Sequence, residues 1–241
     1  IEGMKDASAA PIFNECRQWL LDNLDRFDNL TKEDVESISP EICNCATLST
    51  LHGCPPQEIE RIASYLLTEK KVHTFIKCNP TLLGYEYARK LMDDMGYDYV
   101  AFGDFHFRDD LQYTDAVPML QRLQKLADKK GLEFGVKITN TFPVDVKQNE
   151  LPSEEMYMSG KSLYALSMSV AQKLAKDFDG KLRISYSGGA DYFNITKIVD
   201  AGIWPVTMAT TMLKPGGYER LEQIGQLFKA KEAAAFAGVS A

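Results

Sequence analysis

The strongest candidates for chemistry are small and hydroxyl-bearing residues that end two consecutive apolar runs late in the chain. Glycine lets backbone N–H groups approach a phosphate, because no Cβ stands in the way. One such pair alone is usually a turn or a helix cap. Two pairs in consecutive units favour a phosphate-binding site. The residues are Ser187, Gly188 and Gly189 after the first run and Ala209, Thr210 and Thr211 after the second.

Two lysines lie inside apolar runs, each two or three residues before an asparagine. Lys77 precedes Asn79, and Lys137 precedes Asn140 and Thr141. A lysine directed into a barrel is costly unless a carboxylate or a negative ligand atom pairs with it. The pattern therefore predicts anion-binding lysines at strand ends. The alternative is a lysine on an edge strand or an outer face, with its ammonium in solvent.

Cys54 is a candidate acid, base or nucleophile. It lies in the turn Gly53–Pro56, beside His52 and just before a predicted helix. The positive end of the helix dipole favours a thiolate at such a place. A small residue that fills a tight turn is the alternative. The segment Ser159–Ser162 is similar to the end of a phosphate loop, but it lacks the upstream glycine and we set it aside.

Composition narrows the class of protein. The 241 residues include 27 Lys and Arg against 34 Asp and Glu, which gives a net charge of −7. This balance argues against nucleic-acid or anionic-membrane partners, since phosphate binding needs counter-charge. No apolar run reaches the roughly 18 residues that span a bilayer, so we expect a cytoplasmic protein. Five cysteines without a CxxC pair and three histidines predict no metal site.

The elements that must position these residues alternate between apolar runs and amphipathic stretches. Such alternation predicts serial βαβ units and a parallel sheet, with ligands at the carboxyl ends of the strands. We expect an α/β (β/α)8 TIM-barrel-like fold that is incomplete because N-terminal strands are missing; an open doubly wound sheet is the alternative. The predicted units are a helical segment and linker (1–40), the barrel portion (41–230) and a tail that lacks the patterning of a core element (231–241). The predicted strands are 46–51, 74–78, 97–103, 132–139, 181–187 and 204–209.

Several segments resemble the FMN-binding barrel of the dihydroorotate and dihydropyrimidine dehydrogenase superfamily. More closely, they resemble the barrel region of a family named for a selenate reductase subunit, whose members are multidomain iron–sulfur flavoproteins. The resemblance spans about Leu48 to Leu221. The segments that carry it are 48–56, 77–85, 135–141, 155–160, 184–190 and 208–218.

The resemblance implies that the two glycines and two threonines named above hold the phosphate of FMN. It implies that Lys77 or Lys137 stabilises the negative edge of the reduced ring, with Asn140 and Thr141 near ring or substrate. Cys54 falls where the cytosolic dehydrogenases keep a cysteine acid or base in an Asn-x-x-Cys-Pro turn. Here Leu51 replaces that asparagine, and the long loop after the turn is absent.

The implied activity is a flavin-dependent oxidoreductase acting on a small substrate. FAD, NAD(P)H and iron–sulfur clusters are expected only in other domains of the same polypeptide, which would deliver electrons to FMN. Two alternatives stay open. One is a degenerate barrel that serves as a scaffold for the electron-transfer domains, and the other is a phosphate-binding lyase or isomerase without flavin.

Overall fold

A parallel sheet of four strands forms the centre of the fold in a computed structural model that describes residues 1–50, 53–229 and 235–240. Its spatial order is β1-β2-β3-β6, and β4 and β5 form a separate antiparallel hairpin. The strands are β1 (Cys45–Ser49), β2 (His73–Cys78), β3 (Phe134–Ile138), β4 (Phe142–Asp145), β5 (Glu155–Met158) and β6 (Arg183–Tyr186).

Amphipathic helices cover one face of this sheet, because their apolar stripes require burial. Ile59, Met119, Leu120 and Leu166 are fully buried in that layer. The helices are α1 (Glu2–Lys5), α2 (Pro11–Asp22), α3 (Lys32–Ser37), α4 (Pro56–Tyr65), α5 (Tyr85–Asp94), α6 (Phe105–Asp109), α7 (Tyr113–Lys130), α8 (Tyr164–Asp177), α9 (Ile195–Asp200), α10 (Thr210–Leu213) and α11 (Gly217–Gln226).

The register gives the sheet two chemically different faces. Successive side chains of a strand point to opposite faces, and Ile76, Val136 and Ile184 pack toward the helices. The opposite face, which we call the inner face, carries one row of polar side chains from four neighbouring strands. Ser49, Lys77, Lys137 and Ser185 form this row, each paired in register with the next.

The predicted strand at 97–103 is wrong. The guanidinium of Arg89 donates to the carbonyl oxygens of Val100 (2.6 Å) and Tyr97 (3.1 Å), which a neighbouring strand would otherwise satisfy. The same guanidinium lies 4.4 Å from the ring centroid of Phe102. This side chain therefore holds the segment as an irregular loop packed on the core.

The predicted strand at 204–209 is reduced to one bridge, between Val206 and Tyr186. Pro205 has no N–H to continue a ladder, so it interrupts the pairing. Two predicted loops also contain regular structure. The polar loop from Pro143 to Glu155 belongs to the β4–β5 hairpin, and the acidic linker holds α3, with a capping box between Thr31 and Asp34.

Part of the C-terminal tail packs on the fold, although the sequence of the tail lacks the patterning of a core element. Val239 is buried, and its N–H donates to the carbonyl oxygen of Gly180 at 2.9 Å. The strands of the described residues do not close into a barrel. Within the same part of the chain, every helix is too short or too polar to cross a membrane.

Candidate functional site

A cavity of about 230 Å³ lies at the carboxyl ends of β2, β3 and β6, and we call it the first cavity. It brings together eight of the residues predicted from the sequence, drawn from four separate segments. This is the edge at which parallel α/β folds bind ligands. The eight residues are Lys77, Thr141, Ser187, Gly188, Gly189, Ala209, Thr210 and Thr211.

Three consecutive backbone N–H groups along this cavity have no acceptor in the described part of the chain. They belong to Gly188, Gly189 and Ala190, whereas the N–H groups on either side are paired. Ser187 donates to the carbonyl oxygen of Ile138, and Asp191 donates to a side-chain oxygen at 2.8 Å. Backbone donors away from water are nearly always paired. A run of three open donors is therefore suited to an anion.

The loop of residues 188–190, which carries these donors, packs closely against neighbouring segments and requires glycine. Gly189 has a φ of +77°, and a Cβ at that position would overlap the carbonyl oxygen of Gly160. A Cβ on Gly188 would overlap the hydroxyl of Ser167. The carbonyl oxygens of this loop are used as well, since Tyr186 Oη donates to Gly188 at 2.6 Å. The backbone geometry is thus fixed before any ligand arrives.

Hydroxyl groups add further polar atoms to the first cavity. Thr211 Oγ1 donates to the carbonyl oxygen of Ala190 at 3.1 Å, which ties the two predicted phosphate segments together. The hydroxyls of Thr141, Ser187 and Thr210 have no hydrogen-bond partner among the described residues. The cavity therefore offers donors of several kinds and no carboxylate in its lining.

The two candidate lysines are neighbours on the inner face, but only Lys77 lines the first cavity. Neither ammonium has an ion pair with a carboxylate in the described ranges. Burial, and then the positive charge of Lys137, lower the pKa of Lys77 from its ordinary value. Two like charges this close, without a counter-ion, make the inner face attractive to an anion.

Asn79 and Asn140 lie beside the cavity in a network that we call the asparagine cluster, completed by Asp110 and Thr81. Asn140 Nδ2 donates to Asn79 Oδ1 at 2.7 Å. Asp110 Oδ2 accepts from Asn79 Nδ2 at 3.0 Å and from Thr81 Oγ1 at 2.6 Å. The two amides therefore connect the ends of β2 and β3 to a buried carboxylate, and neither lines the first cavity.

Cys54 is not among the residues that line the first cavity. It is half-buried and packs against the hydrophobic core just before α4. The preceding N–H, of Gly53, donates to Asp110 Oδ1 at 3.3 Å, which links its turn to the asparagine cluster. Its catalytic role stays a prediction. Leu51 and His52, which flank the turn, lie outside the described residues.

Sequence reasoning missed part of the cavity wall. The segment Ser159–Ser162, which we set aside, contributes Ser159 and Gly160 to the lining, and Gly160 has a φ of +72°. Its Ser-Gly-Lys-Ser pattern was a usable signal. Asp110, which belongs to the asparagine cluster, could not be found from the sequence around it, because its hydrogen-bond partners are distant in sequence. The other lining residues not predicted are Thr139, Leu163, Ala190, Thr207 and Met208.

Across 1–50, 53–229 and 235–240, no three His, Cys, Asp or Glu side chains are grouped as metal ligands would be.

Comparison with known proteins identifies the family. A family model described as "Oxidoreductase YgfK, N-terminal TIM-barrel domain" matches residues 1–241. This chain belongs to that family. Membership confirms the predicted α/β TIM-barrel class, although the strands described here leave the barrel open. The family description names an oxidoreductase and not a selenate reductase, so the second name stays a prediction.

Two curated relatives of the YgfK domain have long chains. "Putative oxidoreductase YgfK" from Escherichia coli strain K12 is 47% identical over 232 residues, and the protein of that name from strain O157:H7 matches equally. The match covers 92% of this chain and 22% of each relative. This chain therefore spans about a fifth of the length of these relatives.

Two solved structures of DHODH from Eimeria tenella are weakly similar to the chain. The match to the complex with ferulenol has a TM-score of 0.46 and 17% identity, and it covers 90% of this chain and 61% of the DHODH chain. The match to the ligand-free type has a TM-score of 0.34 and 16% identity, and it covers 73% of this chain and 55% of the DHODH chain. Similarity at this level carries no argument about function.

Proposed function

We propose that this YgfK-type domain binds FMN in the first cavity and works as a flavin-dependent oxidoreductase domain. One observation carries the proposal: three backbone N–H groups and the ammonium of Lys77, none of which has a partner among the described residues, border the same cavity. The donor set fits the cofactor, because N–H and hydroxyl donors hold a phosphate and a cation stabilises negative charge on a reduced flavin ring.

Each part of the cofactor has a proposed set of contacts. The N–H groups of residues 188–190 would hold the phosphate, together with the hydroxyls of Thr210 and Thr211. The part of the cavity between the phosphate and the ring would be lined by Ser187, Ala209 and Thr141. Lys77 would face the ring. FMN, when bound, supplies hydride and single-electron transfer.

The protein's own side chains would complete the chemistry. The ammonium of Lys77 would stabilise negative charge on an adjacent ligand, and Lys137 would add to the local positive potential. The asparagine cluster would keep the strand ends in place, and Cys54 would supply a proton to a small substrate. Electron carriers, FAD, NAD(P)H and iron–sulfur centres, are proposed for regions of the protein outside this chain.

Lys77→Met is expected to weaken FMN binding about tenfold or more, because an ion pair with a partly buried ligand is lost. The pKa of Lys77 is lowered from 10.5, the value of an ordinary lysine, so Lys77 loses its charge at a lower pH than an ordinary lysine does. The affinity for FMN should therefore fall as the pH rises through the lowered pKa of Lys77. Fluorescence titration of the apoprotein with FMN measures both effects.

Lys125→Met is the matched control, since Lys125 is exposed on α7 and away from the first cavity. It should bind FMN as the parent protein does. Equal FMN affinity in the Lys77 and Lys125 variants would remove Lys77 from the cofactor site.

A further inference from the structure

A second cavity, of about 320 Å³, adjoins the first. The two share Gly160, Thr210 and Thr211 as a common wall. The proposed function leaves this second cavity without a role. Its remaining lining comes from the turn after β5 (Lys161), the loop after β6 (residues 191–193), the segment before α11 (Lys214) and α11 itself. Its chemistry differs from that of the first cavity, because charged side chains and aromatic rings replace small residues.

The second cavity has an excess of positive charge. Lys161, Lys214 and Arg220 line it, against one carboxylate, Asp191. That carboxylate is already paired, at 2.7 Å from Lys161 Nζ. Lys214 and Arg220 have no ion pair within the described ranges. Arg220 makes one long hydrogen bond, at 3.4 Å, to the carbonyl oxygen of Thr211. Two uncompensated cations in a concavity favour a phosphate-bearing ligand.

An exposed aromatic pair borders the same cavity. The side chain of Phe193 is 77% exposed, and its ring lies edge to face with Tyr192 at 5.5 Å. Lys161 Nζ lies 5.1 Å from the centroid of the Phe193 ring. Packing does not explain a phenylalanine in this position. A ring beside cations is the usual platform on which a nucleobase stacks.

We propose that the second cavity binds a nucleoside diphosphate, with its phosphates on Lys214 and Arg220 and its base on Phe193. The proposal stands on the residues of this cavity and does not depend on flavin in the first. The same chemical group has two possible sources: a free nucleotide such as ADP, or the ADP portion of a nicotinamide dinucleotide, which would then bind here in addition to the NAD(P)H site proposed outside this chain.

Titration of the intact protein with ADP, followed by calorimetry, tests the proposal. Arg220→Ala and Lys214→Ala should each weaken ADP binding about tenfold, and Phe193→Ala should do so by a similar factor. Lys197→Ala is the control, because Lys197 is exposed on α9 and lines neither cavity. It should leave ADP binding unchanged.

The two sources differ in a second titration, with NADH. Tighter binding of NADH than of ADP, with both weakened by Arg220→Ala, indicates the dinucleotide. Binding of ADP that is at least as tight as that of NADH indicates the free nucleotide. The proposal is overturned if ADP does not bind, or if all three variants bind ADP as the Lys197 control does. Either result leaves FMN binding to the first cavity untouched as a separate question.

Discussion

Gly189→Ala is expected to remove FMN from the protein, with an affinity loss of about a hundredfold or more. Residue 189 has a φ of +77°, which an L-amino acid adopts only at a cost. The added Cβ would also lie 2.9 Å from Lys161 Cα and overlap the carbonyl oxygen of Gly160. The loop must then move, and each hydrogen bond lost to a charged phosphate costs about 1.5–3 kcal/mol, so that one or two lost bonds account for this factor. Flavin released by heating, per mole of protein, measures the loss.

Gly225→Ala separates this effect from a general loss of stability. Gly225 lies in α11, and an added Cβ there meets no atom within 4 Å. Alanine should stabilise that helix slightly and leave the flavin content unchanged. If Gly189→Ala retains FMN as fully as Gly225→Ala, the loop of residues 188–190 does not hold the phosphate.

Asp110→Ala is expected to lower the free energy of unfolding by about 3 kcal/mol. The carboxylate is buried and accepts hydrogen bonds from Asn79, Thr81 and the N–H of Gly53. Its removal leaves these donors without that partner, and an unsatisfied buried donor costs about 1–3 kcal/mol. Urea unfolding, followed by circular dichroism, measures the change.

Asp109→Ala is the matched control for this variant. The neighbouring aspartate is exposed, so its removal should change the free energy of unfolding by no more than about 0.5 kcal/mol. Equal unfolding midpoints for the two variants would show that the asparagine cluster does not stabilise the strand ends.

The glycine-containing loop of residues 187–190 was predictable because its requirements are local. Glycine is needed where a backbone approaches closely, and Gly189 is held against Gly160 in that way. The alternation of strands and helices was equally readable, since β2 and β3 coincide with apolar runs of the expected length. The sequence pattern around the two lysines could not show whether Lys77 or Lys137 lines the cavity. They share a row of the sheet, and only the position of the surrounding loops places one of them on the cavity.

The features that were missed depend on contacts between distant residues. Arg89 donates hydrogen bonds to two carbonyl groups of the 97–103 segment, and the sequence of that segment gives no indication of this contact. Asp110 likewise acquires its role from Asn79 and Thr81, about thirty positions earlier. The hairpin of β4 and β5 was hidden because each strand has only four residues, and because Pro143 in β4 is typical of a loop.

The visible absorption spectrum of the intact protein, with the released cofactor identified by chromatography, decides whether FMN is bound. We expect a yellow protein that NAD(P)H bleaches, that releases FMN on denaturation, and that loses this FMN in the Gly189→Ala variant. A colourless protein, or one that releases FAD and no FMN, would contradict it.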